Sequence, residues 1–181
     1  GPDAHREGGS VNDATRRGLI AGALAGLDQG TFEKLAIELL RGEFVIERHG
    51  SETNGERDRG LDFIARNRQD LSWIAKGQVH HPKVPGRSRA KGKLGPDLKK
   101  LAKVGPATRS VIFVTSAPLT SQQKVKLIDA APGWDLLIRD GRWTVDTLLQ
   151  PRFSHLLTDV VGLRWDPSVF SPAAYLRALH H

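Results

Sequence analysis

Three side chains able to do chemistry fall close together in the sequence. Asp62 closes the run Asp58-Arg59-Gly60-Leu61-Asp62 and heads the apolar pair Phe63-Ile64. Lys76 and Gln78 lie within Trp73-Ile74-Ala75-Lys76-Gly77-Gln78-Val79. Residues two apart on a strand project from the same face, so Lys76 and Gln78 share one. A carboxylate at the head of one strand and an ammonium on the next suit metal-assisted phosphodiester cleavage. The carboxylate can hold Mg²⁺ while the ammonium supports the attacking water or the phosphate charge. A lysine in an apolar strand also needs a partner, because an unpaired buried ammonium is costly. Asp62 is the natural one, and a plain salt bridge explains the two residues as well as a site does. Gln78 offers only a neutral oxygen, a poorer ligand for a hard cation than a carboxylate. His80 and His81 are adjacent and so point to opposite faces. They cannot chelate together, and surface histidines are the default reading.

The elements that must position these groups follow from periodicity. Residues 1–12 are polar and Gly-rich and are expected to be loose. Leu19, Ile20, Ala23, Leu24 and Leu27 have helical spacing, with Asn12 or Asp13 as the cap. A second helix starts after Thr31, a candidate N-cap, with Phe32, Leu35, Ala36, Leu39 and Leu40 on its apolar face and Gly42 at its end. Glu33 sits in its first turn, where an acid favours the helix dipole. Strands are expected at 44–47, 60–65 and 71–79, a meander with a polar loop between the first two. A loop rich in Pro, Gly and basic residues runs from Pro82 to Gly95. A short amphipathic helix from Asp97 to Val104 then turns Lys99, Lys100 and Lys103 outward. Ser110-Val111-Ile112-Phe113-Val114-Thr115 has the continuous apolar character of a strand buried on both faces. A helix opened by Thr120 or Ser121, a strand from Trp134 to Ile138, the turn Asp140-Gly141 and a helical turn or two from Thr144 to Leu149 follow. Beyond Pro151, residues 153–163 and 172–179 are helix candidates. A meander followed by alternating helices and strands predicts an α/β (α+β mixed sheet) fold, a central mixed β-sheet flanked by helices.

The 181 residues carry a net charge of +7. Residues 81–109 hold nine basic side chains against the single acid Asp97, a local balance of +8 that leaves −1 for the rest. Concentrated charge of this kind points to a polyanion, most commonly nucleic acid, although a solvated basic loop and helix face would also show it. Lys83, Arg87, Arg89, Lys91 and Lys93 follow directly on the third strand, where backbone phosphates would enter, and Lys99 and Lys100 extend the set. The absence of cysteine excludes disulfides and thiolate metal sites. The apolar stretch from Leu19 to Leu27 is too short to span a bilayer, and no signal segment opens the chain, which predicts a cytoplasmic protein without membrane contact. There is no phosphate-binding loop, nucleophile elbow, His-Glu-x-x-His or dinucleotide fingerprint.

Taken in order, Phe32-Glu33-Lys34-Leu35 with Leu39-Leu40, Asp58-x-Gly60-x-Asp62, Ile112-Phe113-Val114-Thr115 and Trp134-Asp135-Leu136-Leu137-Ile138-Arg139-Asp140-Gly141 resemble the Mrr-type restriction endonucleases of the PD-(D/E)xK nuclease fold. The resemblance covers Thr31 to Pro151. It implies a restriction-endonuclease-like domain at 31–151 between an N-terminal extension at 1–30 and a C-terminal helical extension at 152–181. It further implies a Mg²⁺- or Mn²⁺-dependent DNA endonuclease of a prokaryotic defence system, working as a homodimer where both strands are cut. Asp62 would bind the metal, Glu33 would contact it or its water, and the third strand would read Glu or Gln, any residue, Lys. Here that triplet is Lys76-Gly77-Gln78, the reverse order. Lys76, or less readily Gln78, would then orient the nucleophile or neutralise the phosphate. The alternative is a nuclease-fold module that binds DNA without cutting it.

Overall fold

Five strands form one mixed sheet in the order β1-β2-β3-β4-β5. The structure, a computed structural model, describes residues 4–48, 60–82 and 90–163, with side chains at 13–48, 60–82 and 94–163. In chain order the elements are α1 (Ala4–Ala25), α2 (Gln29–Leu40), β1 (Phe44–Arg48), β2 (Phe63–Asn67), β3 (Ile74–His80), α3 (Ala90–Leu101), β4 (Ser110–Thr115), α4 (Ser121–Asp129), β5 (Asp135–Arg139), α5 (Gly141–Leu148), a 3₁₀ turn (Pro151–Phe153) and α6 (Ser154–Asp159). The first three strands are the expected antiparallel meander. β3, β4 and β5 run parallel, joined through α3 and α4. Parallel neighbours and helical cover on both faces explain why β4 is apolar throughout.

Two compact units are present, one spanning 28–144 and holding the sheet, the other made of 1–27 and 145–181. Within the sheet unit, Leu94, Leu98 and Leu101 of α3 and Leu127 of α4 pack with Leu61, Val111 and Phe113 into one buried cluster. Residues of the opposite parity, Phe63, Ala65, Ala75, Val79, Ile112 and Val114, are buried on the other face, where α2 lies against β1 and β3. Asp140 fastens the far end of the sheet. Its carboxylate accepts from the Leu119 amide at 2.9 Å ahead of α4 and from the Trp143 amide at 3.2 Å in the first turn of α5. In the other unit, Arg17 pairs with Asp13 at 3.0 Å and with Asp146, and Ile20, Leu24, Phe153, Leu156 and Leu157 are buried. Among the described residues no helix is long and apolar enough to cross a membrane.

Several boundaries differ from the sequence expectation. α1 begins at Ala4, so the segment expected to be loose is helical from there and neither Asn12 nor Asp13 caps it. Helix propagation is cheap once a turn exists, and the better helix formers Ala4, Arg6 and Glu7 carry it back. α2 starts one turn early: Asp28 is its N-cap and accepts from the Thr31 amide at 2.6 Å. α3 also starts early, at Ala90, and runs through Pro96. The carbonyl that Pro96 cannot satisfy, four residues back, belongs to Gly92. Residues 172–179, Asp58, Lys83, Arg87 and Arg89 lie outside the described residues.

Candidate functional site

The β2–β3 register decides what faces what. Phe63 pairs with Gly77 at the end of the β2–β3 ladder. The Asp62 amide donates to the Gly77 carbonyl at 2.9 Å, and the Val79 amide donates to Asp62 Oδ2 at 2.7 Å, so the carboxylate is held against the backbone of β3 just past Gln78. Asp62 is half-buried. The motif glycine beside it is explained by backbone geometry. Gly60 has φ +85°, and a Cβ there would lie 3.3 Å from Gln78 Nε2 and within 4 Å of Asp97.

Gln78 is 2% exposed. Its amide Nε2 donates to Asp97 Oδ2 of α3 at 2.6 Å. A carboxylate accepts and does not donate, so the NH₂ end of the amide must face Asp97. The other end, Oε1, is buried without a hydrogen-bond partner among the described residues. An orphaned buried carbonyl in a polar corner is costly, and an ion or water is the usual reason it is retained.

Lys76 has a different fate from the one expected of it. It is 1% exposed, and its Nζ donates to the carbonyl of Leu101, the last residue of α3, at 2.5 Å rather than to Asp62. The carbonyl end of a helix is the electronegative end, so the cation is received there as a C-terminal cap. Burial holds the Lys76 pKa below the ordinary lysine value, and the nearby Arg109 charge adds to the effect. Arg109 itself lies over the Trp134 ring at 5.0 Å.

The reversed order of Lys76 and Gln78 thus acquires a structural cause. Two residues along a strand span about 6.6 Å, and four along a helix about 6 Å. Lys76 to Leu101 and Gln78 to Asp97 are therefore matched clamps that lay α3 along β3. Beyond Gln78 on the same face comes His80, also buried, its ring stacked on Phe113 at 6.1 Å. The triplet that continues from the Asp62 register is thus Gln78-Val79-His80. Sequence reading left His80 as a surface residue because nothing local reveals which strand residue faces Asp62.

Glu33 lies on α2, and its carboxylate accepts from Arg48 Nη2 at 3.4 Å. Among the described residues, no three or more His, Cys, Asp or Glu converge so as to hold a metal ion. The oxygen donors offered here are the Asp62 carboxylate and Gln78 Oε1, while the Asp97 carboxylate is taken up by the opposite end of the same amide. That set fits Mg²⁺, which takes one or two protein carboxylates and keeps several of its waters. Asp97 escaped the sequence reading, where it was simply the acid among nine bases. On the basic side, Lys99 and Lys100 are exposed on the last turn of α3. Lys91 and Lys93 lie on the same helix, with their side chains outside the described residues.

The sequence matches no family model and no curated protein. Among solved structures the chain is similar to the MspJI restriction endonuclease in complex with a 27-mer oligonucleotide, at 19% sequence identity and a TM-score of 0.51. The fold is restriction-endonuclease-like. The match takes in 83% of this chain and 35% of that protein, so the chain spans about a third of its length. Asp62, just ahead of β2, is tied to β3 at Gly77 and Val79, on either side of Gln78, and the basic segment follows directly after β3.

Proposed function

We propose that the chain is the nuclease module, at residues 31–151, of a prokaryotic restriction or defence system, hydrolysing DNA phosphodiester bonds with a divalent cation. The observation that carries this reading is the Asp62 carboxylate bound to the Val79 amide beside Gln78, whose buried amide oxygen has no hydrogen-bond partner among the described residues. Asp62 and Gln78 Oε1 hold Mg²⁺ or Mn²⁺. When bound, the cation supplies positive charge against the charge that builds on the phosphate oxygens. His80, on the same face as Gln78, takes the position that the resemblance gives to lysine and accepts a proton from the attacking water. Water oxygen then bonds to phosphorus as the bond to the leaving sugar oxygen breaks. Lys76 serves by holding α3 in place, and Glu33 by its pair with Arg48. The basic residues of 83–103 bind backbone phosphates, and a homodimer presents two such sites to the two strands.

A supercoiled plasmid incubated with Mg²⁺ or Mn²⁺ tests the assignment. The wild-type chain cuts, Asp62→Ala abolishes cutting, and His80→Ala slows it by about 100-fold or more, the usual scale for removal of a general acid or base. Cutting that survives Asp62→Ala sinks the site. A second reading, a DNA-binding module that does not cut, is favoured by the capture of the Lys76 ammonium by Leu101. It predicts no cleavage under any cation, together with salt-sensitive DNA binding that is lost when Arg87, Arg89 and Lys91 are neutralised.

A further inference from the structure

We infer that Asp97 is a positioning residue that sets the amide of Gln78 with its oxygen turned away from α3, and that Asp97 is the reason residue 78 is an amide rather than a carboxylate. The inference deepens the cation site proposed above and rests on it. Three observations carry it. The Gln78 Nε2 to Asp97 Oδ2 bond, at 2.6 Å, joins a side chain 2% exposed to one half-buried. Oε1, at the other end of the same planar amide, is buried and has no hydrogen-bond partner among the described residues. Gly60, with positive φ, passes beside the pair where any Cβ would sit 3.3 Å from Nε2, so the absence of a side chain there leaves room for the amide.

The chemistry follows from the donor inventory. An amide has one donating and one accepting end, and an ionised carboxylate facing it binds only the donating end. The accepting end is thereby committed to the opposite side, as a fixed neutral ligand. A glutamate at position 78 would instead set two carboxylates at hydrogen-bond distance, where both cannot ionise freely. The clamp between Lys76 and the Leu101 carbonyl, one helical turn along, holds Asp97 at its height on β3. Asp97 therefore acts through Gln78.

Reversing the polarity of this bond at constant charge tests the inference. Mn²⁺ alone is titrated calorimetrically into the full chain as wild type, Asp97→Ala, Gln78→Glu/Asp97→Asn and Gln78→Glu/Asp97→Ala. Wild type and both double variants carry one carboxylate across the two positions. In Gln78→Glu/Asp97→Asn the asparagine amide donates to the new carboxylate, so the bond survives with its direction reversed. In Gln78→Glu/Asp97→Ala the charge stays and the bond is gone. Loss of a residue that orients a metal ligand costs about 10- to 100-fold in affinity, so Asp97→Ala weakens Mn²⁺ binding by that factor. Gln78→Glu/Asp97→Asn binds at least as tightly as wild type, and about 10-fold or more tighter than Gln78→Glu/Asp97→Ala. Equal affinity in the two double variants, unchanged affinity in Asp97→Ala, or no saturable Mn²⁺ binding by wild type overturns the inference. Where alanine at 97 prevents folding, Asp97→Leu, closer in volume, replaces it in both comparisons. Plasmid cleavage is scored separately: a wild-type chain that binds Mn²⁺ in this pattern yet leaves DNA intact refutes the nuclease reading and upholds the role of Asp97.

Discussion

Lys76, which looks catalytic in sequence, has its ammonium on the carbonyl end of α3. Its ammonium has three donors and, among the described residues, one hydrogen-bond partner, the Leu101 carbonyl, at a side chain 1% exposed. A buried charge without a full partner set is a net burden, and an apolar residue of similar length commonly relieves it. Lys76→Met is therefore expected to raise stability by about 1–2 kcal/mol at neutral pH, read as a higher thermal midpoint. The sign of its pH dependence follows from the lowered pKa. The unfolded lysine holds its proton up to the ordinary value of 10.5 while the folded one releases it earlier, so the unfolded state binds more protons in between. The wild-type chain thus gains stability as pH rises through that window, and the advantage of Lys76→Met shrinks towards pH 10.5. Melting both proteins from neutral to alkaline pH checks this, and a gap that stays constant refutes it.

At the scale of elements, the tightest constraint is the crossing of β2 and β3. Phe63 is fully buried, and a Cβ on Gly77 would fall 2.1 Å from its ring. The ring is held in the core and cannot retreat, so Gly77→Ala is expected to cost about 3 kcal/mol, an overpacking penalty measurable by denaturant unfolding. Trimming the ring with Phe63→Leu should recover part of that loss, giving a coupling between the two positions in a double-mutant cycle. The sheet itself was legible in sequence. The uninterrupted apolar run of β4 lies at 110–115 as expected, and Thr120 caps α4 with Gln123 in a reciprocal capping box. The start of α3 was not, because Gly92, Gly95 and Pro96 are ordinarily loop punctuation and here lie inside a helix held by Leu94, Leu98 and Leu101 in the core. The site divides in the same way. Asp62 could be found from its local motif, since Gly60 advertises a backbone that only glycine adopts readily. Asp97 could not, because it meets Gln78 across nineteen residues of chain and only tertiary packing sets that distance.

For the whole molecule the governing quantity is charge and where it sits. A balance of +8 within 81–109, against −1 elsewhere, makes nonspecific attraction to a phosphate backbone the first expected interaction with DNA. Not every base in that segment is available for it. Arg109 is engaged over Trp134. Lys99 and Lys100, exposed at the carboxyl end of α3, are on the helix whose inner side carries Asp97. Phosphates bound there would lie on the element that orients Gln78. If both lysines contact phosphates, each releases its share of condensed counterions on binding. Lys99→Ala/Lys100→Ala should then lower the slope of log affinity against log salt by about 2 in magnitude. The loss should be the same for unrelated DNA sequences, because phosphate contacts position a protein without reading bases. Fluorescence anisotropy with two unrelated duplexes across a salt series measures both. A slope unchanged by the double substitution would remove the end of α3 from the DNA footprint and leave the segment between β3 and α3 to carry it.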